Sequence, residues 1–299
     1  MNRLFNDNFL AAIARLGLSV RATPPRAEHG THLSPRPGSS LEFRDYQPYA
    51  PGDDLRRVDW AVYRRTKHLF VRRFERPTAA SVFVLVDGSA SMHLDETPAT
   101  PTRYATAARV AAAVASAAVA GQNPLRVVIA DGQEGPAPRT VTGRRGLVKV
   151  LADLAHEDRP TTGPGPAAAI EAVRPALAAT GRGVLVVVSD FFEPAGVDAI
   201  VDALRQVDGR LVLVRVTRPT DAEPQISDDL ELTDCETGRR LHVSPTADAI
   251  ARYRAAYASY FGTLDAYAAS RGALSVTIDA EADPLGQLQT LFPAGTLSV

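Results

Sequence analysis

An apolar run in Ser81–Met92 (SVFVLVDGSASM) stops at Asp87 and is followed by Ser89 and Ser91 at alternate positions. Val82–Val86 reads as a buried parallel strand, so Asp87, Ser89 and Ser91 fall in the loop at its carboxyl end, where open α/β sheets place ligand sites. Three oxygen side chains at i, i+2 and i+4 can converge on one point, because the small residues Gly88 and Ala90 let the backbone curl. Such a donor set suits magnesium, which takes oxygen ligands in near-octahedral geometry and keeps several waters. Asp190, in GVLVVVSDFF, also follows a continuous apolar strand and is expected on the same edge, so the two aspartates could share one cation. Serine hydroxyls would then be direct ligands while one or both aspartates act through water, leaving the ion under-neutralised and attractive to an incoming carboxylate. The competing reading makes Asp87 and Asp190 turn residues and helix caps, with Ser89 and Ser91 satisfying loop amides.

These residues need a sheet to bring them together, and the pattern from Ser81 onward supplies one. Strands alternate with helices, the signature of a mainly parallel sheet covered on both faces: a three-layer, doubly wound α/β fold of Rossmann-like type. The expected strands are Val82–Val86, Arg126–Ala130, Val184–Val188, Arg210–Val216 and Leu274–Ile278. The expected helices are Arg103–Ala120, Leu147–Leu154, Ala167–Ala178, Val197–Gln206 and Thr246–Ser270. In the last helix Ile250, Tyr253, Tyr257, Tyr260, Phe261, Leu264 and Tyr267 recur at three- and four-residue steps, a core-packing stripe. Leu230–Thr233 and Arg239–Val243 flank CETG and read as a hairpin added to the sheet.

Three regions are expected: 1–40, an amphipathic helix over Leu4–Leu16 and a connector; 41–80, a small subdomain; and 81–299, the α/β domain. Pro24, Pro25, Pro35 and Pro37 rule out helix or central strand in Ala22–Ser40. The subdomain ends in a strand over Leu69–Phe74, and Trp60 is expected to be buried as its anchor.

Bulk properties narrow the function classes. The 299 residues are 45% hydrophobic and 22% charged, an ordinary globular composition. With 33 Lys and Arg against 34 Asp and Glu, the net charge of −1 gives no global pull toward nucleic acid or anionic membrane. The lone Cys235 allows no internal disulfide and has no zinc-ligand companions, which points to a cytoplasmic protein. The N-terminal stretch, interrupted by Asp7 and Arg15, fits an amphipathic helix rather than a signal peptide. Tyr104–Ala120, with ten alanines and an arginine, falls short of a membrane span.

Two other functions compete. Ser89 or Ser91, with Asp87 adjacent and His93 nearby in an exposed loop, could serve a hydrolase, but the G-x-S-x-G elbow is missing. Between Gly52 and Arg76, eight cations (Arg56, Arg57, Arg64, Arg65, Lys67, Arg72, Arg73, Arg76) outnumber Asp53, Asp54, Asp59 and Glu75, a stretch that could grip phosphates or nucleic acid. Such interleaved charges more often pair within the molecule, which makes nucleic acid the weaker reading. No phosphate-cradling G-x-x-x-x-G-K-[ST] sequence exists, so the chain has no ATPase loop of its own.

VFVLVDGSASM resembles the metal-ion-dependent adhesion site of von Willebrand factor A-like domains, with Asp87, Ser89 and Ser91 matching its first motif and Asp190 its later strand-end aspartate. The upstream block LEFRDYQPYAPGDDLRRVDWAVYRRT resembles the signature of the bacterial family called domain of unknown function 58, whose members join such a block to such a domain. Glu42, Phe43, Tyr49, Gly52, Asp53, Asp54, Arg56, Asp59, Trp60 and Arg65 match it, DCETGRRLHV resembles the family's late hairpin, and Gln47 departs from a more usual arginine. The resemblance implies a non-enzymatic, protein-binding component with Mg²⁺, or Mn²⁺, at its rim, acting beside an AAA+ ATPase of the MoxR type or a client protein. Adhesion-site domains take a further ligand from a threonine in a Gly-Gly-Thr turn before a helix. Here RPTTGPGPAAAI places Pro164 at that position, so the ligand is either shifted upstream, to Thr161 or Thr162, or lost.

Overall fold

The structure, a computed structural model, describes residues 4–16, 19–21, 42–75, 81–94, 101–131, 138–156, 163–180, 183–226, 228–292 and 296–298. The connector Ala22–Ser40 and the candidate ligands Thr161 and Thr162 lie outside them. The chain divides into two compact units, one of residues 1–23 with 80–299 and one of residues 24–79.

The larger unit begins with α1 (Asp7–Leu16) and β1 (Ser19–Arg21). In the smaller unit β2 (Glu42–Pro48), α2 (Trp60–Thr66) and β3 (Phe70–Glu75) follow, with β2 and β3 paired antiparallel. Asp59 organises this unit: only 3% exposed, it accepts from the N–H groups of Ala61 and Val62 as the N-cap of α2, and from the Tyr46 hydroxyl at 2.8 Å. Trp60 departs from expectation, being 56% exposed and meeting Tyr63 edge-on at 6.0 Å. It is the first residue of α2, and the buried residues beside it are Val58, Asp59 and Val71. The acids expected to pair with arginines also cap backbone: Asp53 accepts from Ala50 N–H and Asp54 from Arg56 N–H.

The larger unit continues with β4 (Ser81–Asp87), α3 (Arg103–Ala120), β5 (Leu125–Ala130), β6 (Arg139–Val141), α4 (Gly143–Leu154) and α5 (Pro166–Ala178). Then come β7 (Gly183–Ser189), α6 (Val197–Arg205), β8 (Arg210–Thr217), α7 (Pro219–Ala222), β9 (Leu230–Thr233) and β10 (Arg240–Val243). It closes with α8 (Ala247–Ser270), β11 (Leu274–Asp279), α9 (Pro284–Leu291) and β12 (Thr296–Ser298). Six strands form the central sheet in the order β11-β8-β7-β4-β5-β6, parallel except for β6. Each strand places alternate side chains on opposite faces, and both faces are covered, so the strands read as unbroken apolar runs. Val82, Val84 and Val86 of β4 pack with α1, α3, α4 and α9, whereas Phe83 and Leu85 pack with α5, α6 and α8. This is the expected three-layer, doubly wound architecture. Eight alanines of α3, among them Ala107, Ala111 and Ala115, are buried, and the helix packs on β4, where larger side chains would hold helix and sheet apart.

β9 and β10 form a two-stranded sheet of their own and do not extend the central sheet as expected. The outer edge of β8 is already taken by β11, and Leu232 and Leu241 of the hairpin stay 44% and 63% exposed. Short elements missed by periodicity include β2, β6, α9 and the β1–β12 pair, each too brief or too polar to carry a clear repeat. Among the described residues no helix is long and apolar enough to cross a membrane.

Candidate functional site

The centre of the sheet creates the site. β4 and β7 are adjacent and parallel, with Val86 in register with Val188, so Asp87 and the Ser189–Asp190 pair leave the sheet on one rim. All four acidic and hydroxyl residues singled out there are buried: Asp190 is fully inaccessible, Asp87 and Ser89 are each 2% exposed, and Ser91 is 8% exposed. Gly88 makes the exit from β4 possible, since a Cβ there would stand 2.8 Å from the Ala130 carbonyl oxygen at the end of β5. Its N–H donates to that same oxygen at 3.1 Å. Ser89 then caps a single 3₁₀ turn, Ala90–His93, which carries Ser91 back toward the rim.

Asp87 accepts from the Ser89 N–H at 2.8 Å and from the Ser189 hydroxyl. The Ser89 and Ser91 hydroxyl oxygens are 3.1 Å apart. That spacing matches two adjacent ligands of an octahedral ion with oxygens at about 2.1 Å, which stand roughly 3.0 Å apart. Asp190 accepts from the Phe192 N–H at 3.1 Å through Oδ1, but its buried Oδ2 has no hydrogen-bond partner. Burial pushes both carboxyls up, and for Asp190 the neighbouring Asp87 adds to it, to about 7; the Phe192 N–H, the Ser91 hydroxyl and Arg103 pull the other way. A hard cation would fit this arrangement, since it could satisfy Oδ2 and offset the repulsion between the two carboxylates. The donor set is oxygen only, which fits a hard ion. Among the described residues no three His, Cys, Asp or Glu side chains form a metal-binding group by themselves, so any ion here depends on the hydroxyls.

Pro164 lies in the turn before α5, and this turn does reach the rim: a Cβ on Gly163 would come 2.3 Å from the Ala130 oxygen and 3.1 Å from that of Gly88. Proline has no side-chain donor to offer there. His93 is half-buried rather than exposed, its ring stacked on Tyr104 at 4.6 Å.

Several residues escaped the sequence reading. Ser189 bridges the two strands, its hydroxyl donating to Asp87 and accepting from the Phe191 N–H at 2.8 Å. Phe191 takes a left-handed backbone (φ 57°), which for a bulky residue costs on the order of 1–3 kcal/mol. Tyr260 of α8 holds that turn, donating to the Phe191 carbonyl at 2.9 Å and accepting from the Glu193 N–H at 3.1 Å. Arg103, 6% exposed, donates to the Ser91 carbonyl at 3.2 Å and pairs with Asp221. Glu236, on the β9–β10 turn, accepts from the Ser91 N–H at 3.0 Å. A serine before the strand-end aspartate was a usable signal for Ser189; Arg103, Tyr260 and Glu236 act through long-range contacts with no local signature.

The mainly parallel sheet of β11-β8-β7-β4-β5-β6, covered by helices on both faces, is a von Willebrand factor A-like α/β fold. Residues 44–261 match the family described as "Protein of unknown function DUF58", and the chain belongs to that family. It is 33% identical over 254 residues to "Uncharacterized protein Rv1480" of Mycobacterium tuberculosis (strain ATCC 25618 / H37Rv), spanning 83% of this chain and 78% of that protein. "Uncharacterized protein Mb1516" of Mycobacterium bovis matches to the same extent, 33% over 254 residues, with 83% and 78% covered. Among solved structures, the SpRpn10 VWA domain is similar with a TM-score of 0.44 and 12% identity, over 74% of this chain and 99% of that one. BatB from Bacteroides thetaiotaomicron is similar with a TM-score of 0.40 and 13% identity, over 72% and 98%.

Proposed function

We propose that this chain is a non-enzymatic protein-interaction module whose rim, formed by Asp87, Ser89, Ser91 and Asp190, binds Mg²⁺ and receives an acidic side chain from a partner. The observation that carries this reading is the buried, unpartnered Oδ2 of Asp190 beside the buried carboxyl of Asp87. A fold that keeps two anions out of water with one oxygen unsatisfied bears a cost that only a bound cation, or a proton, removes. When bound, the ion would supply an electrophilic position for a partner carboxylate. Ser89 and Ser91 would hold it directly, Asp87 and Asp190 directly or through water, and Thr162 would be the added donor from the loop before α5. Ser189 and Arg103 keep Asp87 and Ser91 in place.

The family resemblance favours an AAA+ ATPase of the MoxR type, or a client protein, as partner, in the cytoplasm. A hydrolase is less well supported: the Ser89 and Ser91 hydroxyls engage each other, and the His93 ring stacks on Tyr104. Co-purification with such an ATPase, in Mg²⁺ and in EDTA, tests the proposal. Capture in Mg²⁺ that is lost in EDTA and on Ser89→Ala is expected; capture indifferent to both would reject the rim as the contact.

A further inference from the structure

The β9–β10 hairpin stands apart from the central sheet, yet its turn reaches the rim. Asp234 builds that turn, its carboxylate accepting from the N–H groups of Glu236 at 2.8 Å and Thr237 at 3.0 Å. The Gly238 N–H closes it on the Asp234 carbonyl at 2.8 Å, and Gly238 supplies the positive φ of 70°. The outcome is a hydrogen-bonded loop that presents Glu236 to Ser91, 145 residues away in sequence. Between turn and rim lies a cavity of about 300 Å³, lined by Ser91, Arg103, Asp190, Asp234, Cys235 and Glu236 among others.

We infer that Glu236 is a third acidic residue of the rim site, helping to hold a divalent cation through a bound water. This rests on the metal-binding reading above. Two independent observations converge on it. Glu236 is bonded to the backbone of a residue whose hydroxyl is a candidate ligand, and the unpartnered Asp190 Oδ2 belongs to a residue lining the same cavity. A carboxylate has about four acceptor sites, so accepting from the Ser91 N–H leaves capacity for a metal-bound water. Asp87, Asp190 and Glu236 do not form a three-carboxylate cage, which is why the contact is placed one water out.

The test separates charge from capping. Glu236→Gln keeps an acceptor for the Ser91 N–H but loses the charge, Glu236→Asp keeps the charge, and Glu236→Ala loses both. Mn²⁺ affinity by calorimetry should fall about tenfold in the Gln and Ala variants alike and recover in part with Asp. Gln equal to wild type, with only Ala weakened, would make Glu236 a cap on the 3₁₀ turn and overturn the inference. Wild-type protein that binds no Mn²⁺ would instead overturn the metal reading itself, and the inference with it.

Discussion

Changing Asp190 to Asn should make the metal-free protein more stable and at the same time useless as an ion receptor. Asp190 is fully buried, its Oδ2 has no partner, and its carboxyl is pushed up to about 7 by burial and by Asp87. In the unfolded chain it titrates near 4, so between these values the folded state binds the extra proton. Stability from this group is therefore fully present below about pH 4 and is lost as pH rises through about 7. The full difference is worth on the order of 4 kcal/mol, an upper figure because the two aspartates titrate together. Asn keeps the acceptor for the Phe192 N–H and removes the charge. In EDTA at pH 8 the melting temperature should rise, by at most roughly 8–16 °C at about 2–4 °C per kcal/mol for a unit of this size. At pH 5, where the unfolded chain is already ionised at this position, the variant's advantage should shrink to about 1.5 kcal/mol, and it should vanish below about pH 4. Added Mg²⁺ should stabilise wild type at pH 8 and leave the variant unmoved. Thermal unfolding at the two pH values, with EDTA and with Mg²⁺, reads all of this. A variant less stable than wild type at pH 8 in EDTA would refute the reasoning and make Asp190 a turn residue that needs its charge.

Arg103→Ala leaves Asp221, whose side chain is only 10% exposed, with the Arg218 N–H but without its cation, and frees the Ser91 carbonyl, so urea unfolding should show a loss of about 2–4 kcal/mol. A loss under about 1 kcal/mol would show that the pair is open to solvent. Tyr260→Phe removes both bonds that hold the Phe191 turn and should cost about 1–3 kcal/mol. Hydrogen exchange checks this at the Glu193 amide, which should lose protection; unchanged protection would contradict the assigned role.

Much of this was legible in the sequence because strong hydrophobic periodicity fixes strands and strands fix their ends. The apolar runs of β4 and β7 each stop at a polar residue, and a parallel pairing then forces Asp87 and Asp190 onto one rim. Gly88 was read as a concession to curling; the tighter reason is the Ala130 carbonyl, which leaves no room for a Cβ. Arg103, Tyr260 and Glu236 were not legible, because each acts through a contact that no local pattern encodes: Arg103 on Asp221, 118 residues away, Tyr260 on Phe191, 69 away, and Glu236 on Ser91, 145 away. The hairpin was recognised from its turn chemistry, yet its partners were not: strand propensity says that two segments pair, not which edge remains open to them. Trp60 misled because a large apolar residue argues for burial on average, whereas here Asp59 and the valines occupy the interior.

The central claim is that Asp87 belongs to a cation site. Titrating Mn²⁺ into wild-type protein and into Asp87→Ala, followed by calorimetry at pH 8, addresses it most directly. One saturable site per chain in wild type and none in the variant is the predicted result. An absence of binding in both, or equal binding in both, would contradict the account.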